Sequence, residues 1–332
     1  MKKNLLFPIA LIISFFLVES CAKNNEADPS ITNVVVTNPD FQMLEDAAVR
    51  GDVAVQLSSK NPSDPQGSYT VFAPTNAAFA RLGLNSALDL IALQPAFLRS
   101  TLLYHVFSGT LPGSALTPGS MPASALGPTR RIIRRADNSL YVNGSKILRA
   151  DVPAANGLIH PIDKVLLATG VDVLNSALAL EEGLVFVRPE LTFLVEAVAY
   201  CNLQSALAGS PGSPPLTVFA PTDQAFRELG VALNVPLNQP RDIRNLPVAT
   251  VRAVLLNHVI AGGAQGGRFT SELPENSTVA SAGGGPLVFG SFNNGALTVK
   301  GPGNGASAAN LVIPDIQCTN GVVHVIDRVL LP

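Results

Sequence analysis

The 332-residue sequence predicts an α+β fold built twice in tandem. Two observations carry that prediction: three short blocks recur in the same order along the chain, and in each copy helical patterns precede strand patterns. The first block, Thr70-Val71-Phe72-Ala73-Pro74-Thr75-Asn76, returns 147 residues later as Thr217-Val218-Phe219-Ala220-Pro221-Thr222-Asp223. The second, Tyr104-His105-Val106, returns after 153 residues as Asn257-His258-Val259. The third runs from Asn156-Gly157 through His160-Pro161-Ile162-Asp163-Lys164 to Leu167, and returns after 164 residues from Asn320-Gly321 to Leu331. A fixed order with slowly growing offsets marks a duplication whose second copy has gained loop insertions. The boundary falls near Ala168 to Val171, which places one domain at 31–169 and the other at 170–332.

The amino terminus reads as an export signal over residues 1–20. Lys2 and Lys3 precede an apolar run from Leu5 to Val18, interrupted at Pro8 and Ser14. That run falls short of the roughly 20 apolar residues a membrane span needs. It ends at Leu17-Val18-Glu19-Ser20-Cys21, which resembles a bacterial lipobox with Glu19 as a departure, and Cys21 is the expected lipid acceptor. A cleaved signal followed by an incidental cysteine is the other reading. Residues 21–30 are polar and lack a periodic apolar face, so they are expected to act as a flexible tether.

Each repeated block has its own physical reading. Thr70-Val71-Phe72 is a β-rich run that Pro74 stops, and Thr75 can cap a following helix. Phe79 and Leu82 share a face of that helix, and Gly83 ends it; Thr222, Phe226, Leu229 and Gly230 repeat the arrangement. The middle blocks close helical stretches over 97–106 and 251–259. The last blocks open on Asn-Gly, a strong turn signal, and continue as strands. Between them lie β-like runs such as Leu287-Val288-Phe289 and Ala296–Val299, linked through Asn293-Asn294-Gly295.

Bulk composition narrows the function. Charged residues make up 14% of the chain and the net charge is −2, so no global field favours nucleic acid. At 47% hydrophobic residues, each copy has material for a substantial core. With Cys21 assigned to lipid, Cys201 and Cys318 stand either as a disulfide, which an export compartment permits, or as two separate buried thiols.

The three blocks together resemble the fasciclin domain family. The carriers are Thr-Val-Phe-Ala-Pro-Thr-Asn/Asp, the Tyr104-His105 pair that becomes Asn257-His258 in the second copy, and the closing Asn-Gly-x-x-His-x-Ile-Asp segments. The resemblance implies, for each copy, a compact β-sandwich flanked by several short α-helices, and a role in surface adhesion or matrix binding. Adhesive members of the family place an Asp-Ile segment before the last block. It corresponds here to Asp315-Ile316 in the second copy and Asp151-Val152 in the first. Neither copy keeps both this segment and Tyr-His intact, so receptor binding does not carry over with the resemblance, and a fold-stabilising role is the stronger reading.

Chemistry-bearing residues are few. The four histidines form two equivalent pairs, His105 with His258 and His160 with His324, each flanked by apolar residues and without metal-ligand spacing. Buried imidazoles bonded to backbone are the plain expectation. No nucleophile elbow, Cys-x-x-Cys pair or phosphate loop occurs, so no catalytic residue, metal or cofactor is expected. Arg130, Arg131, Arg134 and Arg135 surround Ile132-Ile133 in the first copy only. They read either as guards of a strand edge or as an anion-binding patch. Candidate ligand-binding residues are therefore these four arginines with Tyr104, His105, Asp315 and Ile316. The expected function is non-catalytic binding and adhesion at the bacterial cell envelope, on an outer-membrane lipid anchor facing the periplasm or the surface. The ligand class is extracellular protein or polysaccharide, and the chain is also open to self-association. A glycan-capture lipoprotein is the alternative, and an envelope hydrolase the more distant one.

Overall fold

Ser30 caps the first helix, its hydroxyl accepting from the amide of Asn33 at 3.3 Å. The computed structural model describes residues 28–181, 191–262 and 267–332. The expected signal peptide, the lipid acceptor Cys21 and tether residues 21–27 lie outside the described residues.

In the first repeat, α1 (Ile31–Thr37), α2 (Gln42–Arg50) and α3 (Ala54–Ser58) precede β1 (Tyr69–Pro74). Pro74 ends the strand, and Thr75 caps α4 (Asn76–Ala80) by accepting from the amide of Ala78. Then come α5 (Ala87–Ile91) and α6 (Pro95–His105), the latter started by a proline whose missing amide costs nothing in a first turn. Short strands follow: β2 (Val106–Ser108), β3 (Ile132–Arg134), β4 (Leu140–Val142), β5 (Ser145–Lys146), β6 (Val152–Ala154), β7 (Gly157–Ile162) and β8 (Leu167–Ala168).

The second repeat keeps this order with α7 (Val173–Glu181), α8 (Thr192–Tyr200), α9 (Gln204–Ala208), β9 (Leu216–Pro221), α10 (Asp223–Leu233) and α11 (Val248–Asn257). Its strands are β10 (Val259–Ala261), β11 (Thr278–Ala280), β12 (Pro286–Phe289), β13 (Thr298–Lys300), β14 (Ala309–Cys318) and β15 (Gly321–Ile326). Helices early and strands late is the α+β arrangement expected from the repeats.

The signature blocks are neighbours in space. β1 runs parallel to β7, with Val71 beside Ile159, and β9 runs parallel to β15, with Val218 beside Val323. This contact explains the glycine of each Asn-Gly pair. A Cβ on Gly157 would sit 1.8 Å from the carbonyl oxygen of Tyr69, and one on Gly321 would sit 2.3 Å from that of Leu216. The asparagines do more than turn the chain. Asn156 accepts from the amide of Ile31 at 2.9 Å, and Asn320 from that of Val173 at 2.8 Å, so each fastens the first helix of its repeat.

The repeats differ in their sheets. In the first, β2-β1-β7-β6 and β3-β4-β5 are separate; in the second, the long β14 bends through two register shifts and carries both parts in one sheet. Phe72, Tyr104, Ile132 and Ile162 fill the sheet interior of the first repeat, and Phe219, Leu287, Phe289 and Ile326 that of the second. The helical sides of both repeats share one continuous apolar cluster that includes Leu167 and Ile316. Crossing occurs on the backbone too, since β8 leaves the first repeat to pair in parallel with β14.

Candidate functional site

The candidate residues converge, and they do so where the two repeats meet. Lys164 lies in the short link between β7 and β8, and the pairing of β8 with β14 carries it against the second repeat. Its ammonium group is buried and donates to Asp315 Oδ2 at 2.8 Å, to Thr270 Oγ1 at 2.9 Å and to the carbonyl of Gly295. Asp315 in turn accepts from the Thr270 amide at 2.6 Å and the Thr270 hydroxyl at 2.7 Å. Burial by itself would raise the Asp315 carboxyl, but the charge and hydrogen bond of Lys164, together with the Thr270 amide, hold it below the ordinary carboxylate range. Asp315 has φ +68°, a left-handed conformation that aspartate tolerates better than most residues. Its amide donates to His324 Nδ1 at 3.1 Å.

The tyrosine of the first repeat reaches the same junction. The Tyr104 hydroxyl donates to Gln317 Oε1 and accepts from Asn143 Nδ2 at 2.8 Å, while Gln317 Nε2 donates to the carbonyl of Thr129 at 3.0 Å. Burial pushes the Tyr104 phenol up to about 12, so it stays a hydrogen-bond donor at any physiological pH. Ile316 is fully buried on β14, beside Leu167 of β8.

The arginines do not form the exposed anion patch that their spacing allowed, and that expectation is corrected here. Arg130 is fully buried over the Phe72 ring and donates to the carbonyls of Tyr104 and Ala123, both at 2.9 Å. Arg131 is buried over Phe269 and pairs with Glu272 at 2.5 Å. Arg135 lies 3.7 Å from the centre of the Phe292 ring and pairs with Glu275 at 2.7 Å. Only the guanidinium of Arg134 is left on the exposed surface, bonded to the Asn138 carbonyl of its own turn. Only Arg134 lies within β3; Arg130 turns into the core of its own repeat, while Arg131 and Arg135 reach glutamates of the second repeat, so the four share no surface.

The histidines are structural. In α6, His105 Nδ1 donates to the Thr101 carbonyl at 2.7 Å, and Nε2 accepts from the Leu166 amide at 2.8 Å. His258 repeats both bonds with Val254 and Leu330. His160 and His324 accept at Nδ1 from Asp151 and Asp315, and donate at Nε2 to the carbonyls of Leu111 and Arg268. Every ring nitrogen is engaged, which fixes the neutral tautomers. Burial holds His105 and His258 down to about 4. Asp163 and Asp327, three positions beyond the signature histidines, clamp the amides of Lys146 and Asn310 at 2.7 Å and take no part with an imidazole.

Among the described residues no group of three His, Cys, Asp or Glu side chains is placed to hold a metal ion. Cys201 and Cys318 are separate buried thiols, so the disulfide alternative is set aside. No helix among the described residues is long and apolar enough to cross a membrane. Sequence reasoning missed Lys164, Asn143, Gln317 and Glu272, although Lys164 stood inside a repeated block. Nothing in a single sequence marks which residue of one repeat meets which residue of the other.

The fasciclin domain model matches residues 39–168 and again 189–332. The chain is 26% identical over 320 residues to transforming growth factor-beta-induced protein ig-h3 of Sus scrofa, covering 94% of this chain and 42% of that protein. It thus spans less than half the length of that relative. An uncharacterised Synechocystis protein is 38% identical over 139 residues, covering 42% of this chain and 86% of that one. Among solved structures, a fasciclin domain pair from the insect cell adhesion molecule Fasciclin I is similar at 17% identity and a TM-score of 0.39, covering 80% of this chain and 89% of that one.

Proposed function

The chain belongs to the fasciclin domain family, and on that premise we propose that it is a non-catalytic adhesion protein of the cell envelope. It is exported, held by a lipid on Cys21, and presents its two repeats together to an extracellular protein or polysaccharide. The observation that carries this reading is the junction itself. Tyr104, Arg131, Arg135, Asp315 and Ile316 are used to join one repeat to the other, so the chain invests its most reactive-looking side chains in holding a two-domain surface. The imidazoles support the same reading, since each already has a donor and an acceptor partner and none is free to move a substrate proton. Ligand recognition then belongs to exposed segments away from the junction, such as the Asp151-Val152 edge of the first repeat and the Arg134 turn.

A solid-phase binding screen of residues 22–332 against matrix proteins and acidic and neutral polysaccharides tests the proposal. A saturable ligand weakened by Asp151→Ala or Arg134→Ala is the expected result. Turnover of any of these polymers by the purified protein would overturn it. Anchoring is tested separately, by metabolic labelling with an alkyne fatty acid: label is expected on the native chain and lost in Cys21→Ser.

A further inference from the structure

Each repeat has an apolar cavity, partly open to the surface, in the same place, between its first helices and its central strands. The cavity of the first repeat, lined by α1, α2, Val71 and His105, has a volume of about 80 Å³. Its counterpart in the second, lined by α7, α8, Val218 and His258, reaches about 160 Å³. Equivalent hydrogen bonds put the two in register. Asn156 and Asn320 hold the amides of Ile31 and Val173, so Thr32 corresponds to Leu174 and Val35 to Ala177. Asn76 and Asp223 hold the amides of Met43 and Phe193, so Glu45 corresponds to Val195.

Ala48 becoming Val198 and Val53 becoming Leu203 add bulk to the second cavity, but three other substitutions widen it or strip its polar groups. Val35 becoming Ala177 opens the floor, while Thr32 becoming Leu174 and Glu45 becoming Val195 remove the polar groups from the wall. His258 is the polar side chain that remains, and both its nitrogens are spent on Val254 and Leu330, so it offers nothing to a ligand. An apolar space of this size stays dry, and one of about 150 Å³ accepts benzene, which sets its capacity at about six carbon atoms. Left unfilled, it only forfeits packing contacts. Ala206 and Ala261 line it from exposed positions, which gives a small rim at the surface.

We propose that the cavity of the second repeat is a binding site for the aliphatic end of a small amphiphile, about six carbons deep, whose polar head stays at the rim. The first repeat, with half the volume and a carboxylate in its wall, does not take such a ligand. The site is independent of the adhesion reading, because its test needs no adhesion partner.

The test uses 1-hexanol as probe and 1,6-hexanediol as a control of equal length with no apolar end, read by methyl NMR of the two-domain protein. Saturable shifts at Leu194, Leu207 and Leu255 are expected with hexanol, without comparable shifts at Leu44, Leu57 and Leu102. Ala177→Leu is expected to weaken hexanol binding at least tenfold and to raise the ligand-free Tm. If that variant does not fold, Leu174→Thr with Val195→Glu, the side chains the first repeat carries, is expected to cause the same loss. Shifts of equal size in both repeats, no saturable shifts, or unchanged affinity in the folded variants would overturn the proposal.

Discussion

At the residue scale, four histidines and one aspartate show how burial turns titratable groups into structural parts. His105 and His258 are neutral in the fold because Nε2 must accept a backbone amide, which a protonated ring cannot do. Unfolded, each takes its proton near 6.5; folded, burial holds it to about 4. As the pH falls the unfolded chain binds protons first. Stability is therefore full above about pH 6.5 and declines between there and pH 4, by on the order of 3 kcal/mol for each ring. Urea denaturation across that range checks this, and His258→Gln is expected to lower stability at pH 7 while flattening the slope. Asp315 makes a second test. Asp315→Ala strands the buried ammonium of Lys164 and is expected to cost roughly 3–5 kcal/mol, whereas Lys164→Met with Asp315→Leu should recover most of it. Chemical denaturation of the single and double variants decides between a pair that matters through mutual compensation and one that adds net stability.

At the scale of elements, the tight Asn143-Gly144 turn between β4 and β5 is what lets the repeats approach. A Cβ on Gly144 would lie 1.9 Å from Asp315 Oδ2, although the backbone there is not left-handed and alanine is acceptable locally. Gly144→Ala should therefore leave the turn intact and push the junction apart, at a cost of about 1–3 kcal/mol typical of overpacking. The amide of Thr169, which donates to the Gln317 carbonyl just after β8, is the reporter. Its hydrogen exchange is expected to accelerate in the variant while that of Val71 in β1 does not. The helix starts were within reach of sequence reading, because Thr75 and Thr222 cap their own helices three residues on. That β8 would leave its own repeat was not, because a two-residue strand carries no periodicity.

For the whole molecule, the junction combines a buried ion pair, two arginine–glutamate pairs, a shared strand and one continuous apolar cluster. Such coupling should make the two repeats unfold as one cooperative unit. Calorimetry is expected to show a single transition for the native chain and two for Arg131→Ala with Lys164→Ala. A single transition in that double variant would mean that the apolar cluster alone couples the repeats.

The sequence by itself determined the duplication, the α+β order within each copy, the helix caps and the strands of the signature blocks. These follow from short-range patterns of capping, turn and alternation, which one stretch of chain contains entirely. Their apolar flanks also placed the histidines as buried imidazoles bonded to backbone, although His105 stood among the candidate ligand-binding residues as well. Only the tertiary structure decided that Tyr104, Arg131, Arg135 and Asp315 meet at one junction, that the four arginines share no surface, and that the second repeat holds the larger cavity. Those outcomes depend on how one repeat seats against the other and on the space left between packed side chains. Both are sums over distant residues, set by shape and burial, and no local spacing along the chain encodes them.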